Sequence, residues 1–509
     1  MKKSNFEKFP EVNVSGHECI AGWKNIADHL QLEIDNLHRE KIVIVIECYH
    51  GVYTNEIAKH LENNFSSAIL INAASAMRSV SETDKLVYPF VTDDPVFGYM
   101  APLNLIDFFD ANKISSLRKK INEVEKGIVF VYGQGSSFVE FSPNFMLYAD
   151  MPRWEIQLRF RNDCISNLGA DNAYAEFPYQ YKRSFFVDWR VCDRHKKCLM
   201  DSWDYLLDTT LEEQPKMISG IALKDALSET VSRPFRVVPF YDPGPWGGQW
   251  LKEVCDLDRE QQNFAWGFDC VPEENSLLFR FGKTTFETPA INLVFAQPEK
   301  LLGKKVFEAF GAEFPIRFDF LDTMDGGNLS LQVHPLKEYI REKFGMAYTQ
   351  DESYYILDAK DGAYVYLGLK EKVVPELMLH ELESVQKDGG NFEADKYVEK
   401  WPVKKHDHIL IPAGTIHCSG ANTVVLEISA TPYIFTFKLW DWGRMGLDGT
   451  PRPISIDHGK QVIQWNRTAT WTEDNIINQF EIINECDGWR EEKTGLDETS
   501  FIETRRHWF

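Results

Sequence analysis

The sequence predicts a multidomain fold in which an α/β domain precedes an all-β antiparallel barrel with helical insertions. The chain has 509 residues, which is more than a single hydrophobic core normally organises. Apolar runs alternate with helical patterns up to about residue 210, whereas short strands separated by Gly and Pro begin at about residue 239. The first pattern is typical of a mostly parallel, doubly wound sheet, and the second is typical of a jelly-roll barrel.

The N-terminal elements follow one another in the order expected for a parallel sheet. The run 42–46 is continuously apolar, as in a strand that is buried on both faces. Residues 54–65 have helical spacing, residues 68–71 predict a second buried strand, and residues 128–131 predict a third. Because helices connect these strands, we assign residues 1–210 to one doubly wound α/β domain.

The turn after the first strand is where a phosphate-binding loop would lie. In the window 47–54, only Thr54 matches the pattern G-x-x-x-x-G-K-[ST]. Glu47 replaces the first Gly, Val52 replaces the second, and Tyr53 replaces the Lys that would neutralise a phosphate. The domain therefore resembles the small P-loop nucleoside kinases with a degenerate P-loop. That resemblance implies a kinase-like fold, and the substitutions predict that ATP is not bound tightly.

Composition divides the rest of the chain into three parts. Residues 211–238 read as a partly acidic linker with a short helix, and residues 239–465 as the barrel domain. Residues 466–509 are predicted to form a partial second barrel or a C-terminal cap, because a jelly roll usually needs roughly 100 residues. A partial barrel would imply that the natural chain continues beyond Phe509.

Two segments of the barrel domain carry candidate metal ligands. Segment 326–335 reads GGNLSLQVHP, and strand alternation places Gln332 and His334 on one face. Segment 406–417 reads HDHILIPAGTIH, in which a short apolar strand and a Pro-Ala-Gly turn are followed by His417 on the next strand. Two ligands at positions i and i+2 of a strand can hold one ion from a single side of a sheet.

These segments resemble the two sequence motifs of the cupin barrels. More narrowly, four ordered motifs resemble those of class I mannose-6-phosphate isomerases, and the resemblance covers roughly residues 239–465. The motifs are Trp246-Gly247-Gly248, Gln332-Val333-His334-Pro335, Pro412-Ala413-Gly414-Thr415-Ile416-His417 and Lys438-Leu439-Trp440-Asp441-Trp442-Gly443-Arg444. The resemblance implies a cupin fold and the isomerisation of a sugar phosphate.

The resemblance also implies a metal site. Gln332, His334, Glu352 and His417 are expected to hold one Zn²⁺ ion per chain. General cupin spacing would place the carboxylate ligand at Glu338, but the isomerases take it from the start of the next strand, which is Glu352 here. Such a mixed nitrogen and oxygen set leaves coordination positions open, as catalytic zinc sites do.

An aldose–ketose isomerase moves a proton between C1 and C2 and stabilises the oxyanion that develops. By resemblance, Glu427 is the candidate catalytic carboxylate, and Lys438 is the catalytic cation. Lys337 and Arg444 are the candidates for binding the substrate. Glu427 is expected to face the barrel interior, where an apolar environment would raise its pKa toward neutrality.

The chain departs from these isomerases at two cationic positions. Lys438 stands where the family usually has Arg, and Gln350 stands where it often has Lys. The leading prediction is a metal-dependent enzyme that interconverts mannose 6-phosphate and fructose 6-phosphate through an enediol. The alternative is a non-catalytic or regulatory sugar-phosphate-binding cupin with an N-terminal interaction domain. A bifunctional protein with a working kinase is a third hypothesis, and Glu47 and Tyr53 count against it.

The composition of the chain limits the classes of molecule that the protein is expected to bind. A net charge of −22 argues against nucleic acid, because phosphate binding along a nucleic acid requires a basic surface. The N-terminus lacks the apolar core of a signal peptide, and no apolar run approaches the length of a transmembrane helix. Nine scattered cysteines indicate reduced thiols. We therefore expect a cytoplasmic protein with a small-molecule partner and no membrane association, and the sequence leaves the oligomeric state open.

Overall fold

The structure, a computed structural model, describes residues 6–430, 434–495 and 501–509. Its strands are β1 (Glu11–Asn13), β2 (Ile20–Ala21), β3 (Lys41–Cys48), β4 (Ile69–Asn72), β5 (Gly127–Gly133), β6 (Phe145–Asp150), β7 (Tyr205–Asp208), β8 (Lys216–Ser219), β9 (Phe240–Asp242), β10 (Trp266–Cys270), β11 (Ser276–Phe281), β12 (Thr284–Pro289), β13 (Ile316–Asp322), β14 (Leu331–Val333), β15 (Glu352–Ala359), β16 (Tyr364–Leu369), β17 (Val398–Pro402), β18 (His408–Ile411), β19 (His417–Ser419), β20 (Thr423–Ala430), β21 (Phe437–Trp440), β22 (Phe480–Cys486), β23 (Trp489–Thr494) and β24 (Thr504–Trp508).

Helices connect many of these strands. They are α1 (Trp23–Asn36), α2 (Thr54–Asn64), α3 (Val80–Val91), α4 (Ala111–Glu123), α5 (Ser136–Val139), α6 (Arg153–Arg161), α7 (Phe177–Arg183), α8 (Trp189–Leu199), α9 (Gly220–Val231), α10 (Trp250–Val254), α11 (Ile291–Ala296), α12 (Pro298–Leu302), α13 (Lys304–Phe310), α14 (Lys337–Phe344), α15 (Pro375–Asp388), α16 (Ala394–Tyr397), α17 (Ile456–Gly459) and α18 (Ala469–Asn475).

The chain folds into two compact units made of interleaved sequence segments. The α/β unit comprises Phe9–Val238 and Pro272–Phe314. The barrel unit comprises residues 6–8, residues 239–271 and the described residues from 315 onward. Each unit has its own sheets, so the predicted multidomain organisation is confirmed.

The α/β unit is built on a seven-stranded sheet with the order β2-β8-β7-β6-β3-β5-β4. The pairs β3–β5, β3–β6, β4–β5 and β6–β7 are parallel, whereas β7–β8 and β2–β8 are antiparallel. Ile44 and Val45, in the central strand β3, are fully buried, which explains the unbroken apolar run in the sequence. The predicted mostly parallel sheet is confirmed.

The segment 211–238 is not a linker. It contains β8, which pairs with β7 in the main sheet, and α9. The buried side chains of α9 include Ala222, Leu223, Ala226 and Leu227, which recur at helical spacing. The linker prediction was wrong because acidic residues between these positions make the average composition look like that of a solvated connection.

Residues 272–314 also belong to the α/β unit, although we predicted that residues 239–465 form one barrel domain. Strand β11 pairs antiparallel with β12 and parallel with β1, near the start of the chain. Because β1 and β11 are far apart in the sequence, no local sequence pattern predicts that they pair. The α/β unit therefore takes a hairpin and helices α11 to α13 from the middle of the chain.

The barrel unit contains two antiparallel sheets. The six-stranded sheet has the order β18-β15-β20-β13-β10-β9, and the five-stranded sheet has the order β17-β16-β19-β14-β21. Helix α14 follows β14, and helix α15 lies between β16 and β17. The predicted all-β architecture with helical insertions is confirmed for this unit.

The last described residues form a separate three-stranded antiparallel sheet, β22-β23-β24, preceded by α18. Arg506 donates a hydrogen bond to the carbonyl oxygen of His406, at 2.7 Å, and the rings of Trp508 and His406 lie 5.0 Å apart. These contacts are those of a cap on the barrel. Phe509 is 96% exposed, and its ring stacks on that of His507 at a centroid distance of 6.3 Å.

His408 makes the stability of the barrel unit depend on pH. It is buried at 2% exposure, and neither ring nitrogen has a hydrogen-bond partner in the described part of the chain. Burial, with a smaller effect of Arg506, lowers its pKa from 6.5 to about 4. The unfolded chain therefore binds more protons than the folded chain between these two pH values, so stability falls as the pH falls through this window.

The expected loss between pH 6.5 and about 4 is on the order of 3 kcal/mol. The His408→Leu protein should lose this part of the pH dependence, because a leucine has no proton to gain. Urea unfolding of both proteins at several pH values in the window measures it. Equal slopes in the two proteins would contradict the assignment to His408.

All nine cysteines are free thiols. In the part of the chain that the structure describes, no helix combines the length and the apolarity needed to cross a bilayer.

Candidate metal centre and active site

Three strands of the five-stranded sheet bring the motif residues together. Strand β14 lies between β19 and β21, so Gln332 is directly opposite His417 on one side and Lys438 on the other. Residues that are directly opposite each other on neighbouring strands point to the same face of a sheet. His334 follows β14 immediately. The candidate ligands of the separate sequence motifs are thus brought together by strand pairings between residues about 100 positions apart in the sequence.

The buried centre of this cluster consists of two imidazoles and one carboxylate. The Nε2 atom of His334 lies 3.1 Å from Oε2 of Glu352, and the Nε2 atom of His417 lies 2.8 Å from Oε1 of the same carboxylate. Glu352 begins β15 in the six-stranded sheet, so the two sheets face each other here. The Nε2 atom of Gln332 is 3.2 Å from Nε2 of His417.

The hydrogen bonds of the two imidazoles fit a metal ion. Nδ1 of His334 donates to the carbonyl oxygen of Phe435 at 3.1 Å, and Nδ1 of His417 donates to that of Thr415 at 2.9 Å. In the neutral imidazole that a metal ion binds, Nε2 then carries the lone pair, and both Nε2 atoms point toward the Glu352 carboxylate. Nε2 of His334 and Oε1 of Glu352 make no well-directed hydrogen bond within the described residues. Acceptors that converge on one buried point, with their outer N–H groups fixed, are the arrangement of a metal centre.

Electrostatics keeps Glu352 ionised in this centre. Burial alone would raise its pKa, but the neighbouring His334 and His417 hold the pKa well below its usual range. Gln332 can complete the set with its amide oxygen after a half-turn of the amide group. These four side chains are the ones that the sequence motifs predicted, and they are adjacent.

A second cluster of polar side chains adjoins the carboxylate of Glu352. The side-chain amide of Gln350 donates to Oε2 of Glu352 at 2.9 Å and to Oε1 of Glu427 at 3.3 Å. Glu427 on β20 is also directly opposite Asp319 on β13. Burial, with the charges of Glu352 and Asp319 adding to it, raises the pKa of Glu427 well above its usual range. The candidate base, Glu427, is therefore inside the barrel, and the side-chain amide of Gln350 bridges it to Glu352 by hydrogen bonds.

Asp319 was missed by sequence analysis. It is only 7% exposed, and burial followed by the charge of Glu352 raises its pKa well above the usual range. Its one sequence signal is strand alternation, which places it on the same face as Arg317 and Leu321. A charged residue in an antiparallel strand most often faces solvent, so that signal alone did not identify a site residue.

Lys438 is the cation on this face of the sheet. It is half-buried, and burial, with Arg452 adding to the effect, lowers its pKa to about 8. No hydrogen bond or ion pair to its ammonium group comes from the residues that the structure describes. Asp441 acts on Lys438 only through its nearby charge, so the ammonium group is able to contact a bound anion.

The two predicted substrate-binding cations lie outside this cluster. Arg444 donates to Asp441 at 2.6 Å and to the carbonyl oxygen of Asn328 at 2.5 Å. Its guanidinium group is therefore already engaged in hydrogen bonds within the protein. Lys337 is exposed in the first turn of α14. Glu338, the alternative carboxylate ligand, is exposed in the same turn and is not part of the His-Glu-His cluster.

In the α/β unit, the loop after β3 differs from a phosphate-binding loop. The Glu47 carboxylate is buried and accepts hydrogen bonds from the backbone N–H groups of Gly135, at 2.6 Å, and Ser137, at 2.8 Å. Burial would raise the pKa of Glu47, but hydrogen bonding and the charge of His195 lower it. The Tyr53 ring lies 3.9 Å from the guanidinium group of Arg159. An internal carboxylate thus occupies backbone donors beside the loop, and Tyr53 occupies the lysine position.

We therefore expect no tight binding of ATP to the α/β unit. The loop lacks the lysine that would neutralise the phosphates, and the charge of Glu47 is fixed beside it. Equilibrium dialysis with ATP and Mg²⁺ measures this. Micromolar binding that disappears in the Thr54→Ala protein would contradict the prediction and support the kinase hypothesis.

Comparisons with known proteins gave one family model and several relatives in sequence. A family described as "Domain of unknown function (DUF8485)" matches residues 22–232. A mannose-6-phosphate isomerase from Streptococcus mutans is 25% identical over 229 residues, which are 45% of this chain and 66% of that protein. The probable mannose-6-phosphate isomerase GmuF of Bacillus subtilis is 30% identical over 154 residues, which are 30% of this chain and 45% of that protein. The chain thus spans less than two thirds of either relative.

Solved structures give matches of similar extent. The mannose 6-phosphate isomerase of Bacillus subtilis has 18% identity and a TM-score of 0.41, and the match covers 52% of this chain and 76% of that one. A putative mannosephosphate isomerase from Archaeoglobus fulgidus has 16% identity and a TM-score of 0.37, covering 51% and 76%. In sequence, 45% of the chain is similar to a protein named mannose-6-phosphate isomerase. The family that matches the N-terminal half has no described function, so the resemblance to nucleoside kinases stays a prediction.

Proposed function

We propose that the protein is a metal-dependent aldose–ketose isomerase that interconverts mannose 6-phosphate and fructose 6-phosphate. The observation that supports it most is the buried centre of His334, Glu352 and His417, with the carboxylate of Glu427 one amide away. The similarity of about half the chain to named mannose-6-phosphate isomerases supports the same reaction. The free thiols agree with a reducing, cytoplasmic location.

We assign one Zn²⁺ ion per chain to Gln332, His334, Glu352 and His417. When bound, zinc supplies a Lewis acid that polarises the sugar oxygens. The backbone carbonyls of Phe435 and Thr415 hold the imidazoles in the tautomer that a metal needs.

Glu427 is the proposed base that moves the proton between C1 and C2. Its burial and its carboxylate neighbours raise its pKa, so the group holds a proton more firmly than an exposed carboxylate does. The amide of Gln350 orients one carboxylate oxygen of Glu427. Lys438, which makes no ion pair with the described residues, is the proposed partner of the oxyanion that develops on the substrate.

The Glu427→Gln protein is expected to be nearly inactive while keeping its metal ion. Glutamine preserves the size of the side chain but cannot take the proton, and general base catalysis typically contributes roughly 100-fold or more. Steady-state kinetics and zinc analysis of the same preparation measure both properties. Full activity in this variant would exclude Glu427 as the base.

The alternative is a non-catalytic cupin that binds a sugar phosphate. Gln350 and Lys438 in place of Lys and Arg favour it, and so does the additional buried carboxylate of Asp319. Arg444, which is engaged by Asp441, is less available to a phosphate than a free guanidinium group. In that case the N-terminal domain is the part that interacts with a partner.

A coupled assay that follows fructose 6-phosphate formed from mannose 6-phosphate, with the protein titrated with zinc, tests the proposal. Turnover that rises with zinc and saturates at one ion per chain is the expected result. A zinc-loaded protein that binds mannose 6-phosphate without turnover would support the non-catalytic alternative.

A further inference from the structure

The inner face of the six-stranded sheet carries a row of four side chains that crosses four neighbouring strands. Phe268 on β10, Asp319 on β13, Glu427 on β20 and Tyr354 on β15 are each directly opposite the next. Side chains directly opposite each other on antiparallel strands point to the same face, with Cβ atoms roughly 4.5–5.5 Å apart. The two carboxyl groups of the row are therefore neighbours, with an aromatic ring on either side.

This row adjoins the candidate metal centre. The side-chain amide of Gln350 bridges Glu427 to Glu352, and the ring of Tyr354 packs edge-on against that of His417 with the centroids 5.8 Å apart. Asp319 and Glu427 each keep 7% of their surface exposed, so the two residues are not completely enclosed by the protein. A substrate that reaches the metal centre is thus beside both carboxyl groups.

Asp319 and Glu427 differ in their hydrogen-bond donors. Gln350 donates to Glu427, and a donor favours the charged form of a carboxyl group. In the part of the chain that the structure describes, no N–H or O–H group donates to Asp319. A buried carboxyl group without a donor is costly when ionised, and two adjacent carboxylates repel each other. Asp319 is therefore the member of the pair that carries a proton, and Glu427 is the member that can take one.

The isomerisation must move two protons. One passes from C2 to C1, and the other passes from the hydroxyl group on C2 to the oxygen on C1. Glu427 is the proposed base for the first proton, and the second has no carrier assigned so far. In the non-catalytic alternative, by contrast, the carboxyl group of Asp319 would only disfavour a bound phosphate, so a role for Asp319 in catalysis also distinguishes the two functions.

We propose that Asp319 carries the second proton, an inference that rests on the proposed isomerase function. As Glu427 takes the proton from C2, the electron pair of that bond forms the C1–C2 double bond, and the oxygen on C1 takes the proton of Asp319. Asp319 then takes the hydroxyl proton from the oxygen on C2, which becomes the carbonyl oxygen, while Glu427 returns its proton to C1. Both carboxyl groups end as they began, so the reaction needs no other proton donor.

The Asp319→Asn protein tests this role. Asparagine keeps the size of the side chain but cannot pass a proton, so the formation of fructose 6-phosphate should fall about 100-fold or more. Removal of the C2 proton should continue, because Glu427 is intact, and the enediolate can then only return to the aldose. Proton NMR in deuterium oxide follows exchange at C2 of mannose 6-phosphate together with ketose formation. The ratio of exchange to isomerisation should rise about 10-fold or more.

The matched control is Glu427→Gln, in which the other carboxyl group of the pair becomes an amide. This protein should lose exchange and isomerisation together, because nothing takes the C2 proton. Two further measurements do not depend on turnover. Zinc content and the affinity for mannitol 6-phosphate, which has no carbonyl group, should stay close to the parent values in both variants. Thermal unfolding verifies that the variants are folded, and Asp319→Ser, a second uncharged variant, should give the same ratio as Asp319→Asn.

The role of Asp319 is overturned if the folded variants isomerise mannose 6-phosphate as the parent does, or if they lose exchange and isomerisation in equal proportion. It is also overturned if they lose their zinc, because Asp319 would then act by supporting the metal centre. A zinc-loaded parent protein that neither isomerises nor exchanges mannose 6-phosphate would refute the proposed function itself, and this inference with it.

Discussion

The Lys438→Ala protein is expected to retain its zinc ion and to lose about 100-fold or more of its isomerase turnover. Lys438 lies directly opposite Gln332, and no described residue makes an ion pair with its ammonium group, so its charge is available to the substrate. It would stabilise negative charge that is present only in the transition state. Removing such a contact lowers kcat and kcat/KM together and leaves KM little changed.

The Lys438→Arg protein is the matched control. Arginine keeps the positive charge and restores the planar donor pair that the related isomerases usually have, so activity should be kept or improved. Steady-state kinetics of the three proteins, each with its zinc content measured, provide the comparison. If Lys438→Ala raises KM and leaves kcat unchanged, Lys438 binds the substrate phosphate and is not the catalytic cation.

The second large effect concerns the metal. The His334→Ala and His417→Ala proteins should each lose most of their bound zinc. Each imidazole contacts the Glu352 carboxylate, and each has its Nδ1 atom committed to a backbone carbonyl, which leaves Nε2 as the ligand atom. Measured at equal protein concentration after dialysis, zinc should fall from one ion per chain to a small fraction of that.

Glu338→Gln is the control for this experiment, because Glu338 is the carboxylate that general cupin spacing would choose. Its side chain is exposed on α14, away from the two imidazoles, so the metal content should be unchanged. Zinc retained at one ion per chain in both histidine variants would refute the metal assignment. Zinc lost in Glu338→Gln would make Glu338 the ligand in place of Glu352.

Local sequence patterns predicted those parts of the structure that depend on a single continuous segment of the chain. The run 42–46 became the central buried strand, because a strand covered on both faces needs apolar residues at every position. The segments around Gln332, His334 and His417 became neighbouring strands, because alternation and turn residues fix which side chains share a face. Those three residues and Glu352 lie together in the structure, and their role as metal ligands stays a prediction.

Features that depend on distant segments were not predicted. Strand β11 belongs to the α/β unit because it pairs with β1, and no local pattern encodes a parallel pairing across the chain. The segment Ile291–Ala296 forms helix α11, although its largely apolar sequence fits a buried strand as well as a buried helix. Asp319 enters the site only through the register of β13 on β20.

The central claim is that His334, His417 and Glu352 hold a catalytic metal ion together with Gln332. Anomalous diffraction from crystals of the zinc-loaded protein, recorded on both sides of the zinc absorption edge, tests it most directly. We predict one strong anomalous peak per chain, about 2 Å from Nε2 of His334, from Nε2 of His417 and from an oxygen of Glu352. The absence of a peak at these three side chains in crystals that contain stoichiometric zinc would contradict the account.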